Sequence, residues 1–153
     1  MKSIAKTTAV LVIFGMLIGV AFAQFAKPEK AIKYRQSVMT VIAQHFGRLG
    51  AMVKGKQPYD QATFASNTAV IETLAGLPWE AFLVPGSDEG QTTMTSSVLK
   101  NPDGLKSLAR QFEAEVAKLS AAAKGDDVNA IKAQFGAVAK SCGACHKQTR
   151  KKR

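Results

Sequence analysis

Both cysteines of the chain fall within five residues, Cys142-Gly143-Ala144-Cys145-His146. The pattern C-x-x-C-H is the attachment signal for c-type haem. Two thiols three residues apart lie on one side of a helix, within reach of both vinyl groups of a single porphyrin. The resulting thioether bonds are permanent. His146 stands one residue past Cys145 and four past Cys142, so its imidazole can turn under the ring and ligate the iron. Gly143 and Ala144 are small and let a helix lie close to the porphyrin face. The expected cofactor is one covalent haem c per chain, bound by Cys142 and Cys145 with His146 as metal ligand.

Three other uses of these residues fit less well. A disulfide-exchange pair of thioredoxin type belongs at a strand-to-helix junction, and the chain offers no strand pattern. A zinc site needs about four ligands, and the only other histidine is His45. A structural disulfide across x-x in a helix is geometrically poor and leaves His146 without a role.

The elements that position this motif read as helices. Pro28 suits a first turn and Glu29 the positive end of the dipole. From there Ile32, Met39, Ile42, Phe46, Leu49 and Val53 recur at steps of seven, three and four, giving one apolar face. Gly55 and Pro58 break it. Asp60 is the expected N-cap of a second helix carrying Phe64, Ile71 and Leu74, which Gly76 and Pro78 stop. Residues 77–101 read as a long connection in which Trp79 and Phe82 pack inward on one short turn. Asn101-Pro102 opens a third helix with Leu105, Leu108, Phe112, Val116 and Leu119, ending at Gly125. Asp126 or Asp127 caps a fourth, whose seam Val128, Ile131, Phe135, Val138, Cys142, Cys145 keeps a regular 3,4 spacing. The fold class expected is all-α, an antiparallel four-helix bundle with covalently bound haem c.

Residues 1–23 carry Lys2 and Lys6, an uncharged apolar run from Ala9 to Ala23, and a small-x-small end at Ala21-Phe22-Ala23. That is the pattern of a cleaved secretory signal peptide. The alternative, an uncleaved anchor, needs about 20 apolar residues. The remaining domain is 24–153, and without Lys2 and Lys6 it holds 19 basic and 11 acidic residues. In a Gram-negative bacterium the product would lie in the periplasm, with no membrane span after cleavage and no nucleic-acid partner. The basic balance leaves an acidic redox partner protein or a membrane surface open. A non-haem helical protein docking through its tail Arg150-Lys151-Lys152-Arg153 is the reading from another class. There is no Ser/His/Asp set, paired-carboxylate site or phosphate-binding glycine loop, so an enzyme is not expected.

A C-x-x-C-H motif on the last helix of a bundle resembles cytochrome c′, the class II cytochrome c family. The likeness covers residues 24–153, including Lys33-Tyr34-Arg35-Gln36-Ser37-Val38-Met39, Leu77-Pro78-Trp79-Glu80-Ala81-Phe82 and Cys142 to Arg150. It implies that Arg35 and Gln36 contact the haem propionates, that Met39 roofs the distal face of the iron, and that Arg150 shapes the proximal pocket beside His146. It implies a five-coordinate iron that binds NO and CO, in NO protection or carriage with possible electron transfer. In the family NO can displace the proximal histidine. The alternative is a six-coordinate, low-spin electron carrier with Met39 as second axial ligand, since a thioether can ligate haem iron. The likeness also implies a homodimer through the first two helices, to which Val38, Val41 and Met52 offer apolar surface off the core face. Trp79 and Phe82 pack on the haem edge or fill core. His45 is expected on the surface. Loop 86–97 differs from close relatives, and no haem contact is carried over to it.

Overall fold

In the computed structural model, residues 25–152 are described; the signal peptide expected over 1–23 lies outside them. The elements are α1 (Pro28–Val53), α2 (Gln61–Leu74), a 3-10 turn (Glu80–Phe82), a short α3 (Ser97–Lys100), α4 (Pro102–Ala122) and α5 (Val128–Thr149). The four long helices form an antiparallel bundle with neighbours α1–α2, α2–α4, α4–α5 and α1–α5. Among the described residues the only extended pairing is one antiparallel bridge, Met94 to Arg150. No described helix is long and apolar enough to cross a membrane.

Local chemistry sets the helix ends. Asp60 accepts from the Thr63 N–H at 2.7 Å and caps α2. Asn101 accepts from the Gly104 N–H at 2.9 Å and caps α4. A Cβ on Gly104 would stand 2.4 Å from the Asn101 amide nitrogen, so the cap needs glycine there. Asp127, of the two aspartates expected, accepts from the Asn129 and Ala130 N–H groups and caps α5. α1 ends in a Schellman motif: Lys56 N–H donates to Ala51 O at 2.8 Å and Gly55 N–H to Met52 O at 3.1 Å. The motif needs a left-handed residue, and Gly55 supplies φ 68°.

The core joins Ile42, Leu49, Phe64, Ile71, Phe112, Val116, Leu119, Ile131 and Val138 from all four helices. Met52 is part of it at 6% exposure. The expectation that Met52 offers surface for a dimer is therefore wrong. As α1 closes on α2 near its C-terminus, the second helix covers a side chain that the stripe alone leaves off-face. Val38 is half-buried against the same core, and only Val41, at 42% exposure, remains outside. His45 is not a free surface residue either. It is half-buried, its Nδ1 2.8 Å from Asn67 Oδ1 on α2.

The connection between α2 and α4 is more ordered than its Gly and Pro content implies. The turn expected at Trp79 and Phe82 is there, and the unexpected α3 adds a second. Met94, Val98 and Leu105 form a satellite core with Trp79 and Phe82. Thr95 N–H donates to Thr149 O at 2.9 Å and Lys151 N–H to Thr93 O at 2.7 Å. The connection thus ties the end of α5 in place.

Candidate haem site

A cavity of about 330 Å³ opens between α1 and α5. This lies within the range of small-molecule and cofactor sites, ~300–1,000 Å³. The two helices meet where Phe46 stacks on Phe135, ring centroids 4.3 Å apart and planes within 8°. Gly50 makes room for that stack, since a Cβ there would come 3.3 Å from the Phe135 ring. Next to this contact the facing residues become small: Ala43 and Gly47 on α1, Ala139 on α5. A Cβ added at Gly47 or Gly143 would meet nothing within 4 Å. A larger side chain at Gly47, which lines the cavity, would fill the gap.

Cys142, Cys145, His146 and Arg150 line the cavity from α5 and Met39 lines it from α1. Ile71, Phe112 and Trp79 contribute the rest of the apolar lining. Both cysteines are free, Cys145 buried and Cys142 half-buried. Burial pushes both thiols up, and for Cys142 the neighbouring Cys145 adds to it, while the Arg150 charge pulls both back. Both remain protonated at neutral pH. Among the described residues no cluster of three His, Cys, Asp or Glu could hold a metal ion.

His146 sits in the last turn of α5. Burial, then the nearby Arg150 charge, holds its imidazole below the usual pKa. Arg150 Nη2 donates to His146 Nε2 at 2.8 Å. An accepting Nε2 puts the proton on Nδ1, so the ring is neutral, the form that ligates metals. Arg150 is itself held by its backbone, whose N–H donates to His146 O at 3.1 Å.

Arg35 and Gln36 are not in the cavity lining. Arg35 is 2% exposed. Its Nη1 donates to Ala81 O at 3.0 Å and Ser87 Oγ at 2.9 Å. Its Nη2 donates to Ser87 O at 2.5 Å and Thr92 Oγ1 at 2.8 Å. Burial lowers its pKa and the Asp88 charge opposes that. Gln36 Nε2 donates to Gln91 O at 2.8 Å. Both residues bind the connection to α1. The physical reason is that residues 81–92 turn back over the start of α1 and present acceptors there. Arg35 also lies 4.9 Å over the Phe82 ring. Phe82 stacks on Trp79 at 6.0 Å, and Trp79 meets Phe112 edge-on at 5.9 Å. This column carries the connection to the cavity wall.

Phe112 and Ile71 are legible in the sequence only as core residues. Nothing in their spacing marks them as cavity wall, because the gap that exposes them depends on small residues of other helices.

The residues fit a covalent haem. Apart from its thiols, Ser141, whose hydroxyl is spent on Val138 O, and the His146–Arg150 end, the lining is apolar, as a porphyrin requires. The Trp79 Nε1–H is buried with no protein acceptor, and a buried unpaired donor costs about 1–3 kcal/mol. A carboxylate on a group filling the cavity would supply the acceptor. Cys142, Cys145 and His146 would hold such a group in the arrangement their spacing implies.

Comparison with known proteins agrees. The family model described as Cytochrome C' matches residues 30–150. A cytochrome c' of Alcaligenes xylosoxydans xylosoxydans is 45% identical over 130 residues, covering 85% of this chain and 100% of the relative. Cytochrome c prime from Shewanella frigidimarina superposes with a TM-score of 0.81 at 36% identity, over 84% of this chain and 100% of that one. A nitric oxide complex of a mutant cytochrome c prime from Alcaligenes xylosoxidans superposes with a TM-score of 0.78 at 44% identity, over 85% and 100%.

Proposed function

The chain belongs to the cytochrome c′ family, and from this premise we propose that it is an exported haem c protein that binds NO and CO at a five-coordinate iron. His146 is its only protein ligand, and its role is NO protection or carriage with possible electron transfer. Covalent haem c is the family's cofactor, and Cys142 and Cys145 are the residues here that carry it. The nitric oxide complex of the Alcaligenes xylosoxidans protein supports gas binding.

One observation carries the coordination reading: Met39 lines the cavity while packed against the bundle core. Haem supplies an open coordination position for a diatomic. Met39, Ile42 and Phe46 crowd the α1 side of the cavity, so a ligand entering there must push side chains aside. That wall holds no hydrogen-bond donor for bound O₂. The Nε2 lone pair that accepts from Arg150 is the one that would ligate the iron, so Arg150 would give up this hydrogen bond to a bound haem and stay beside the ring. Arg35 is outside the cavity lining with four of its donors held by the connection, whereas Trp79 lines the cavity with an unpartnered Nε1–H that a propionate could meet.

The test is the ferric and ferrous spectrum with and without CO, for wild type and Met39→Ala. A high-spin wild type, unchanged in spin state by the substitution but binding CO at least about tenfold faster, is expected; tenfold is ~1.4 kcal/mol of barrier. A near-infrared Met–iron charge-transfer band in the ferric wild type refutes it and establishes the six-coordinate electron carrier.

Export rests on the pattern of residues 1–23 and predicts a mature periplasmic chain beginning at Gln24. A homodimer through α1 and α2 is the assembly we propose, resting on the family likeness and on exposed Val41. No enzymatic role is proposed.

A further inference from the structure

The charges of this chain segregate along the sequence. Residues 30–59 and 128–153 hold thirteen Lys or Arg and no Asp or Glu. Residues 60–127 hold ten Asp or Glu and five Lys or Arg. The two carboxylate-free stretches contain α5 and all of α1 after its first two residues, Pro28 and Glu29; these are the helices that wall the cavity. The fold brings them side by side and sets behind them α2, whose one charged residue is Glu72, and α4, with three acids and three bases; the other acids stand in the turns and the connection, Asp88 and Glu89 among them over the start of α1. Every described cation of the carboxylate-free stretches is exposed, apart from buried Arg35. None is in an ion pair among the described residues. The two ion pairs there, Lys106–Asp103 at 3.2 Å and Lys118–Glu115 at 2.8 Å, both lie within α4. The α1/α5 half is therefore strongly positive, and it contains the residues proposed to hold the haem. Two haem propionates would leave that half strongly positive.

We propose that the α1/α5 half is the docking surface of an acidic electron-donor protein that reduces the haem iron. A field of one sign around a reactive cleft raises association rates by ~10–10³ and orients the encounter. Helices α2 and α4 together hold four acids and three bases, so they offer the same partner no competing attraction. A membrane fits this surface less well. Peripheral helices enter a bilayer on an apolar face, and in the α1/α5 half Val41 is the one exposed large hydrophobic side chain among the described residues. In the step itself the donor loses one electron and the iron passes from ferric to ferrous. No bond or proton changes place. The proposal rests on haem attachment at Cys142 and Cys145 and not on the coordination proposed above.

The test follows reduction of the ferric holoprotein by two reductants in stopped flow. One is a reduced [2Fe–2S] ferredoxin of net negative charge; the other is photoreduced lumiflavin, small and neutral. Raising ionic strength from about 20 to about 300 mM shortens the Debye length severalfold. The ferredoxin rate should fall at least about tenfold while the lumiflavin rate holds. At low salt, Lys33→Glu with Lys140→Glu and Lys152→Glu should lower the ferredoxin rate by at least about tenfold and leave the lumiflavin rate unchanged. Arg110→Glu with Lys124→Glu, the same kind of charge reversal on the α2/α4 side, should lower it by less than about threefold. Equal losses in both variant sets, or a ferredoxin rate indifferent to salt, overturn the proposal. So does a triple variant that loses binding to vesicles containing about one-fifth anionic lipid but keeps its ferredoxin rate, which assigns the surface to a membrane. A haem stain on a denaturing gel separates these outcomes from a failure of haem attachment, which would leave nothing to reduce.

Discussion

Taking a guanidinium out of water costs several kcal/mol unless its donors are met, and Arg35 meets four of its five. Two of its acceptors are the backbone carbonyls of Ala81 and Ser87, inside the connection. Arg35→Leu would take this donor from Ser87 O and leave Ala81 O only the long 3.5 Å bond from Ser87 Oγ, at a cost of about 2–4 kcal/mol. Urea unfolding should show that loss. Arg35→Lys should restore less than half of it, because one ammonium carries three donors and cannot span the acceptors. A leucine variant as stable as wild type would show that the connection holds without this residue. The thiols make a sharper case. Cys142→Ala with Cys145→Ala should abolish covalent haem and leave a poorly folded apo-bundle, since the seam from Val128 to Cys145 points at the cofactor. A haem stain on a denaturing gel reads the result directly, and an unchanged stain would sink the assignment.

Helix α2 depends on a charged cap. The Thr63 hydrogen bonds hold the Asp60 carboxyl below the usual carboxylate pKa. A carboxyl with a lower pKa in the folded chain contributes stability that is present above its unfolded value, ~3.9, and lost as pH falls through the folded value. Glu115 behaves alike, lowered first by Lys118 and then by Gln134. Asp60→Asn keeps a capping side chain but removes the titration. Its melting temperature should fall less than that of wild type when pH drops from about 5 to about 3. Parallel melting curves for the two proteins over that range would show that the cap carries no pH-dependent stability. The caps also show which local rules a chain can state outright. Asp60, Asn101 and Gly55 sit where their types require, because each bond closes within a few residues.

The whole molecule is polar in charge and short of apolar surface. Val41 and Leu77 are its exposed large hydrophobic side chains among the described residues, at 42% and 43% exposure. A dimer through α1 and α2 must therefore draw on polar packing as well, and the uncompensated cations of α1 oppose it. Sedimentation at micromolar concentration should show a symmetric dimer that tightens with salt as screening removes that repulsion. A species of monomer mass at every ionic strength would rule the dimer out.

The 3,4 spacing of apolar residues, the caps and the C-x-x-C-H motif were enough to state four helices, their ends and the residues proposed to bind the haem. These are short-range matters: a helical face repeats every turn, and a thioether motif needs one turn of one helix. The sequence also contained the charge segregation, but the pairing of residues 30–59 with 128–153 acquires meaning only once α1 and α5 stand together. What depended on distance along the chain was decided in three dimensions. Arg35 bonds residues 46 to 57 positions away, Met52 is covered by packing that its own stripe does not show, and His45 meets Asn67 from a second helix. The cavity is the clearest instance. Gly47, Ala43 and Ala139 are unremarkable singly, and they make a gap only because the Phe46–Phe135 stack holds their helices at a fixed separation beside it.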